Sequence, residues 1–228
     1  MALFATADLH LSFGTDKPMD IFRGWQDYTE KIEKNWRALI SEDDTVVIAG
    51  DISWAMRLEN IANDLAFLES LPGKKIIGKG NHDYWWETKK KMETFIQNKG
   101  FNSISILFNN SYQYGSFAVC GSRGWSYDCP QSEQLVLLRE CGRLSTSIES
   151  ALAANLEPIV FLHYPPVYGD YRCDEIMEVL HKYEIKRCYY GHLHGHAHNL
   201  AVTGDYEGIE MRLIACDYCS FTPQLVER

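Results

Sequence analysis

The run Thr45-Val46-Val47-Ile48-Ala49 constrains the fold of this chain more than any other stretch. It is apolar with almost no alternation, the pattern of a strand covered on both faces, and such strands belong to parallel sheets flanked by helices. Leu3 to Ala7 and Lys75 to Ile77 repeat it in shorter form. Between these runs lie segments with helical spacing. Trp25 to Ile40 places Tyr28, Ile32, Trp36 and Leu39-Ile40 on one face, and Arg57 to Leu71 is closed by Pro72-Gly73. A third helix is expected from Thr88 to Lys99, with Gly100 as its C-cap. Strands alternating with helices imply an α/β fold with helical crossovers.

Downstream, Ser103 to Leu107 and Tyr112 to Cys120 read as consecutive strands turning at Asn109-Asn110. A long helix is expected over Ser132 to Ala154, a strand over Pro158 to Leu162, a helix over Asp174 to Tyr183 and a strand over Arg187 to Tyr190. Ala197 to Thr203 and Glu210 to Cys216 look like a closing hairpin around Gly204-Asp205. There is no repeat, low-complexity stretch or linker, so residues 1–228 are read as a single domain.

The ends of the strands carry the chemistry. Asp8 and His10 follow the first, Asp51 the second, Asn81-His82-Asp83 the third, His163 a later one, and His192 and His194 the last. In open α/β sheets ligands bind at the C-terminal strand edge. The set comprises two carboxylates, an amide oxygen and four imidazoles beside His82-Asp83. That exceeds the needs of one tetrahedral zinc and suits two metals sharing a carboxylate. Mixed oxygen and nitrogen donors favour manganese or iron, with zinc and cobalt also compatible, over calcium or magnesium.

Charge and composition narrow the partners. A net charge of −9 argues against broad binding to long nucleic acid. Two divalent ions would still leave the pocket itself positive and attractive to a phosphate. No run approaches the roughly 20 apolar residues of a membrane span, and no signal peptide is read at the start. The seven scattered cysteines fit free thiols in a reducing cytoplasm, with Cys216-x-x-Cys219 as the one suggestive pair. No signal for an oligomeric state is present.

The ordered blocks Asp8-x-His10, Gly50-Asp51, Gly80-Asn81-His82-Asp83, His163 and Gly191-His192-x-His194 resemble those of the calcineurin-like metallophosphoesterases. The resemblance implies a four-layer α/β/β/α sandwich with a dinuclear site at the strand ends. It implies Asp8, His10, Asp51 and His194 on one metal, and Asn81, His163 and His192 on the second, with Asp51 bridging. It further implies hydrolysis of a phosphate ester by a metal-bound hydroxide, with His82 as general acid and Asp83 holding its ring. Ile52-Ser53-Trp54-Ala55 replaces the Arg-Gly signature of protein Ser/Thr phosphatases, and Asp83 replaces their Glu. The expectation is therefore a bacterial-type enzyme acting on a small phosphomonoester. A phosphodiesterase acting on a small nucleotide is the alternative. A non-catalytic scaffold fits less well, because His82 and every ligand are retained.

Other residues have quieter readings. His181, His196 and His198 are expected to be structural, and Trp54 and Tyr84-Trp85-Trp86 to pack behind the site, with stacking on a nucleobase or aryl group as the alternative. Arg123, flanked by glycine and Trp125, either reaches a substrate oxygen or makes a structural ion pair. Pro165-Pro166 would stiffen the loop after His163.

Overall fold

In the computed structural model, residues 1–125 and 134–228 are described. The first two residues of the helix expected from Ser132 lie outside this range.

Strands β1 (Leu3–Thr6), β2 (Thr45–Ile48), β3 (Lys74–Ile77) and β4 (Ile104–Ile106) lie parallel in that order. Helices α1 (Tyr28–Leu39), α2 (Ala62–Ser70) and α3 (Lys89–Asn98) make the crossovers. The missing alternation in the sequence is explained by two buried faces. Phe4, Val46, Ile48 and Ile77 pack outward against Ile32, Trp36, Leu65 and Met92 of the helices. Leu3, Ala5, Val47 and Ile76 point inward.

The second sheet contains β5 (Tyr112–Tyr114), β6 (Phe117–Ser122), β7 (Glu157–Leu162), β10 (Arg187–Tyr190), β11 (Gly204–Tyr206) and β12 (Ile209–Leu213), in the order β11-β12-β10-β7-β6-β5. Strands β8 (Val167–Tyr168) and β9 (Tyr171–Arg172) form a small hairpin apart from both sheets. Helices α4 (Gln134–Ala153) and α5 (Asp174–Lys182) cover the outer face through Leu144, Ile148, Ile176 and Leu180. Between the sheets, Ala5, Val47 and Ile76 meet Val119, Ile159, Phe161 and Tyr189. The result is the α/β/β/α sandwich implied by the sequence resemblance. Each fully buried aliphatic side chain in it contributes about 1.5–3 kcal/mol.

Register brings the strand ends to one level. Thr6 pairs with Ile48 and Ile48 with Ile77, so the chain leaves three adjacent strands side by side. Leu162 pairs with Tyr190 in the other sheet. The two sheets are then tied together at this end, where the Ala7 amide donates to the Ile214 carbonyl and the Cys216 amide to the Ala7 carbonyl.

Three local expectations are corrected. β4 and β5 belong to different sheets, and Tyr112–Cys120 is not one strand. Gly115, at φ 56°, turns the chain so that β5 and β6 pair antiparallel. Ala197–Thr203 is not a hairpin arm: Gly195–Leu200 forms a 3₁₀ helix, and β11 pairs with β12 instead. Strand β13 (Gln224–Glu227), absent from the sequence reading, adds antiparallel to the free edge of β1.

Candidate metal centre

The loops leaving the strands bend through unusual backbone. Asp8, His10, Asp51 and His192 have φ of 62°, 46°, 50° and 74°. Left-handed conformations are disfavoured for residues with a Cβ and cluster at functional sites. Hydrogen bonds hold these turns: the Asp8 amide donates to the Gly50 carbonyl and the His10 amide to the Asp51 carbonyl, both at 2.9 Å. Two glycines permit the convergence. A Cβ on Gly80 would overlap Asp51 Oδ1 and the Asp51 amide nitrogen, and one on Gly191 would overlap Asp8 Oδ2.

On one side, ligand atoms of Asp8, His10 and His194 lie within 4.8 Å of one another. His10 Nε2 and His194 Nε2 face each other at 3.2 Å, and Asp8 Oδ1 is 3.6 Å from His194 Nε2. Trp54 stacks on the His10 ring at 4.9 Å, and Trp25 lies edge-on to His10. Asp217 accepts from His194 Nδ1 at 2.9 Å and stands 3.2 Å from His198 Nε2. A carboxylate behind a histidine fixes its tautomer and leaves the other nitrogen free to ligate. The sequence reading missed Asp217. It lies between the two singled-out cysteines but follows a strand with no accompanying motif.

On the other side, Asp8, Asp51 and His163 form a second group within the same limit. Asn81 Oδ1 is 2.6 Å from His163 Nε2 and 3.0 Å from His192 Nδ1. His163 is held from behind by the Ala49 carbonyl, 3.2 Å from Nδ1. Asp51 faces both sides: Oδ2 is 3.7 Å from His10 Nε2 and Oδ1 is 3.5 Å from His163 Nε2. The structure thus brings together all seven residues named from the sequence as ligands.

The electrostatics fit cations. Asp8 and Asp51 are buried. Burial, then Asp83 and Asp8, push the Asp51 carboxyl well above its usual range. Burial, then His192, lower His163 well below 6.5, and burial, then His194, do the same to His10. In the neutral tautomer whose Nδ1–H donates to the Ala49 carbonyl, His163 Nε2 and Asn81 Oδ1 present lone pairs to each other. A metal ion relieves that contact, as it does the crowded carboxylates. His194 differs: burial opposes its charge, but Asp8 and Asp217 outweigh burial and raise it to about 10.

His82 stands at the rim, with 34% of its side chain exposed and Nε2 4.0 Å from Asp51 Oδ2. Burial, then His192, lower its pKa. The expected clasp from Asp83 to the His82 ring is not what Asp83 makes. Its oxygens accept from the amides of Gly80, Ile52 and Ser53 and from the Trp85 indole, which ties the Asp51 loop to the Asn81 loop. Trp54 and Trp85 accordingly pack behind the site, while Tyr84 is 55% exposed beside His82. Arg123 lies 3.6 Å from Glu140, and its carbonyl accepts from the His163 amide. Cys216 and Cys219 are free thiols, and Cys216 Sγ donates to the Asp8 carbonyl at 2.9 Å. His181 pairs with Glu207 at 2.8 Å, away from the centre.

No curated protein is matched by sequence. Among solved structures, the protein of unknown function AQ665 from Aquifex aeolicus is similar at TM-score 0.54 and 18% identity, over 98% of this chain and 95% of that one. Phosphopantetheinyl hydrolase (PptH) from Mycobacterium tuberculosis is similar at 0.53 and 16%, over 99% and 95%. TT1561 of Thermus thermophilus gives 0.52 and 10%, over 99% and 97%. At these identities the likeness is one of fold. The family description calcineurin-like phosphoesterase matches residues 1–196, a span that includes every strand-end block from Asp8 to His194. The chain belongs to the calcineurin-like phosphoesterase family and is a metal-dependent phosphoesterase.

Proposed function

We propose that the chain hydrolyses a small phosphomonoester with the help of two divalent ions. Asp8, His10, Asp51 and His194 would hold one ion, and Asp51, Asn81, His163 and His192 the other. The observation that carries this reading is Asp51, whose two oxygens face opposite ligand sets at 3.7 and 3.5 Å. When bound, such ions neutralise phosphate charge and activate water. Manganese or iron suits the donor set best, and zinc or cobalt is also compatible.

The chain's own residues do the rest. Trp54 packs against both His10 and His82 and limits their rotation. His82, at the open rim, gives a proton to the leaving oxygen. A phosphate dianion arriving beside it favours the imidazolium that burial disfavours in the free protein. Asp83 acts only by fixing the loops that present Asp51 and His82. The exposed Tyr84 ring, 6.1 Å from His82, supports a second reading, stacking on the base of a small nucleotide diester.

No helix among the described residues is long and apolar enough to cross a membrane. The free thiols among the described cysteines support placing the protein in the reducing cytoplasm. The pairing of β13 with β1 supports treating residues 1–228 as one domain. The test is a panel with added manganese comparing p-nitrophenyl phosphate, its bis ester, small nucleotides and a phosphopeptide. Faster turnover of monoesters is expected. Preference for the bis ester selects the diesterase reading, and preference for the phosphopeptide overturns the small substrate.

A further inference from the structure

A second group of charges lies at the same strand ends as the metal centre. Where β3, β4 and β6 end, a small cavity is lined by Lys79, Phe108, Asn109, Ser122, Arg123 and Arg143, together with Glu140 of α4. Its charges are arranged in a way that the phosphoesterase site does not use. Glu140 is only 2% exposed and holds two guanidiniums, Arg143 at 2.6 Å and Arg123 at 3.6 Å. Arg143 lies over the Phe108 ring at 5.0 Å and Arg123 over Trp125 at 5.2 Å, which fixes both forks. Arg123 Nε is buried without a hydrogen-bond partner among the described residues. Lys79 has no ion-pair partner among the described residues. Among the described residues that line it, three cations against one carboxylate leave +2 in one small cavity of a protein whose net charge is −9.

The position of this cavity is equally specific. Lys79 precedes Asn81 by two residues, at most about 7 Å of backbone. The Arg123 carbonyl accepts from the amides of His163 and Tyr164 at 3.2 and 2.9 Å. The basic cavity is therefore attached to both Asn81 and His163, on the far side of the centre from Trp25 and Trp54.

We propose that Lys79, Arg123 and Arg143 form a second anion site, which holds a phosphate that is not cleaved while another phosphate on the same molecule lies at the metal centre. The preferred substrate is then a small molecule bearing two phosphoryl groups. Planar guanidinium forks suit the tetrahedral oxyanion in two-point contacts, and Glu140 keeps them preorganised. This inference rests on the phosphoesterase reading of the neighbouring centre and narrows its substrate.

The test compares α,ω-alkanediol bisphosphates of graded length with the matching alkyl monophosphates, with manganese, in wild type, Arg143→Met and Arg143→Lys. In wild type, one chain length should exceed its monophosphate in kcat/KM by about tenfold or more, the scale of a charge-assisted contact, chiefly through KM. Arg143→Met should bring that ratio towards one, and Arg143→Lys should restore part of it. An alkyl phosphate ending in a carboxylate should gain less than the bisphosphate, since it offers fewer oxygens. A wild-type ratio near one at every length, or a ratio unchanged in Arg143→Met, overturns the second site. Calorimetry with a non-hydrolysable alkane bisphosphonate and its monophosphonate separates the two layers of the argument. If no ester is turned over yet the bisphosphonate binds more tightly and Arg143→Met removes the difference, the phosphoesterase reading fails and the anion site stands. Equal binding of the two phosphonates removes the anion site.

Discussion

The two sides of the metal centre hold their histidines by different means. His163 is fully buried, backed by a backbone carbonyl, and kept neutral by its surroundings. His194 is about a third exposed, backed by the Asp217 carboxylate and faced by Asp8, and is raised to about 10. The buried side is ready to accept a cation without losing a proton from its histidine. The exposed side must first give up a proton, because a ligating imidazole nitrogen cannot carry one. One fold thus offers two sites of different proton cost, joined by Asp51.

The change expected to disrupt this arrangement most is Asp51→Asn, which weakens the shared contact on both sides. Turnover of p-nitrophenyl phosphate with manganese should fall by roughly 10³-fold, the upper scale for loss of a central charge-stabilising group. Activity near wild type would mean that the two sides do not depend on Asp51. Next comes His82→Asn, which should leave both sides loaded and lower kcat on an alkyl phosphate by about 10²–10⁴-fold. A p-nitrophenyl ester, whose leaving group departs unprotonated, should suffer less. Equal losses on the two esters, or a lost metal, would remove the acid role.

Asp217→Asn addresses the asymmetry itself. It should weaken one ion by about 10–100-fold, the usual scale for a carboxylate behind a ligating histidine, and spare the other. The sign of the pH effect follows from His194. Its proton is held up to about pH 10 in the metal-free protein, so metal uptake on that side should strengthen as pH rises and level off only near 10. In Asp217→Asn the levelling should move to lower pH. Titrations at several pH values, read by calorimetry, check both statements. Gly80→Ala is read on stability, because the new methyl would overlap the Asp51 amide and carboxylate and force that loop to shift. Overpacking of this kind costs about 1–3 kcal/mol, to be measured by urea unfolding of the metal-free protein.

The same contrast explains what could be read from the sequence. The ligands were legible because each follows an apolar run whose strand character is fixed by local composition, as with Ile48-Ala49 before Gly50-Asp51. Asp217 was not, because its partner His194 lies 23 positions away and only the fold brings them together. The same clasp explains the misread Ala197–Thr203: Asp217 accepts from the Gly195 amide and approaches His198, winding that segment into a 3₁₀ helix that its local composition does not announce. The edge strand β13 has only four residues, too few for alternation to show. For Asp83 the residue was found but its partners were not. Adjacency to His82 suggested a ring contact, whereas burial sends both oxygens to backbone amides and an indole.

The most direct test of the central claim is the metal stoichiometry of the purified chain, followed by elemental analysis during manganese titration. Two ligand sets sharing Asp51 require saturation at two equivalents per chain, with the equivalent on the His194 side lost before the other as the pH is lowered. Saturation at one equivalent, or two equivalents that respond identically to pH, would contradict the account.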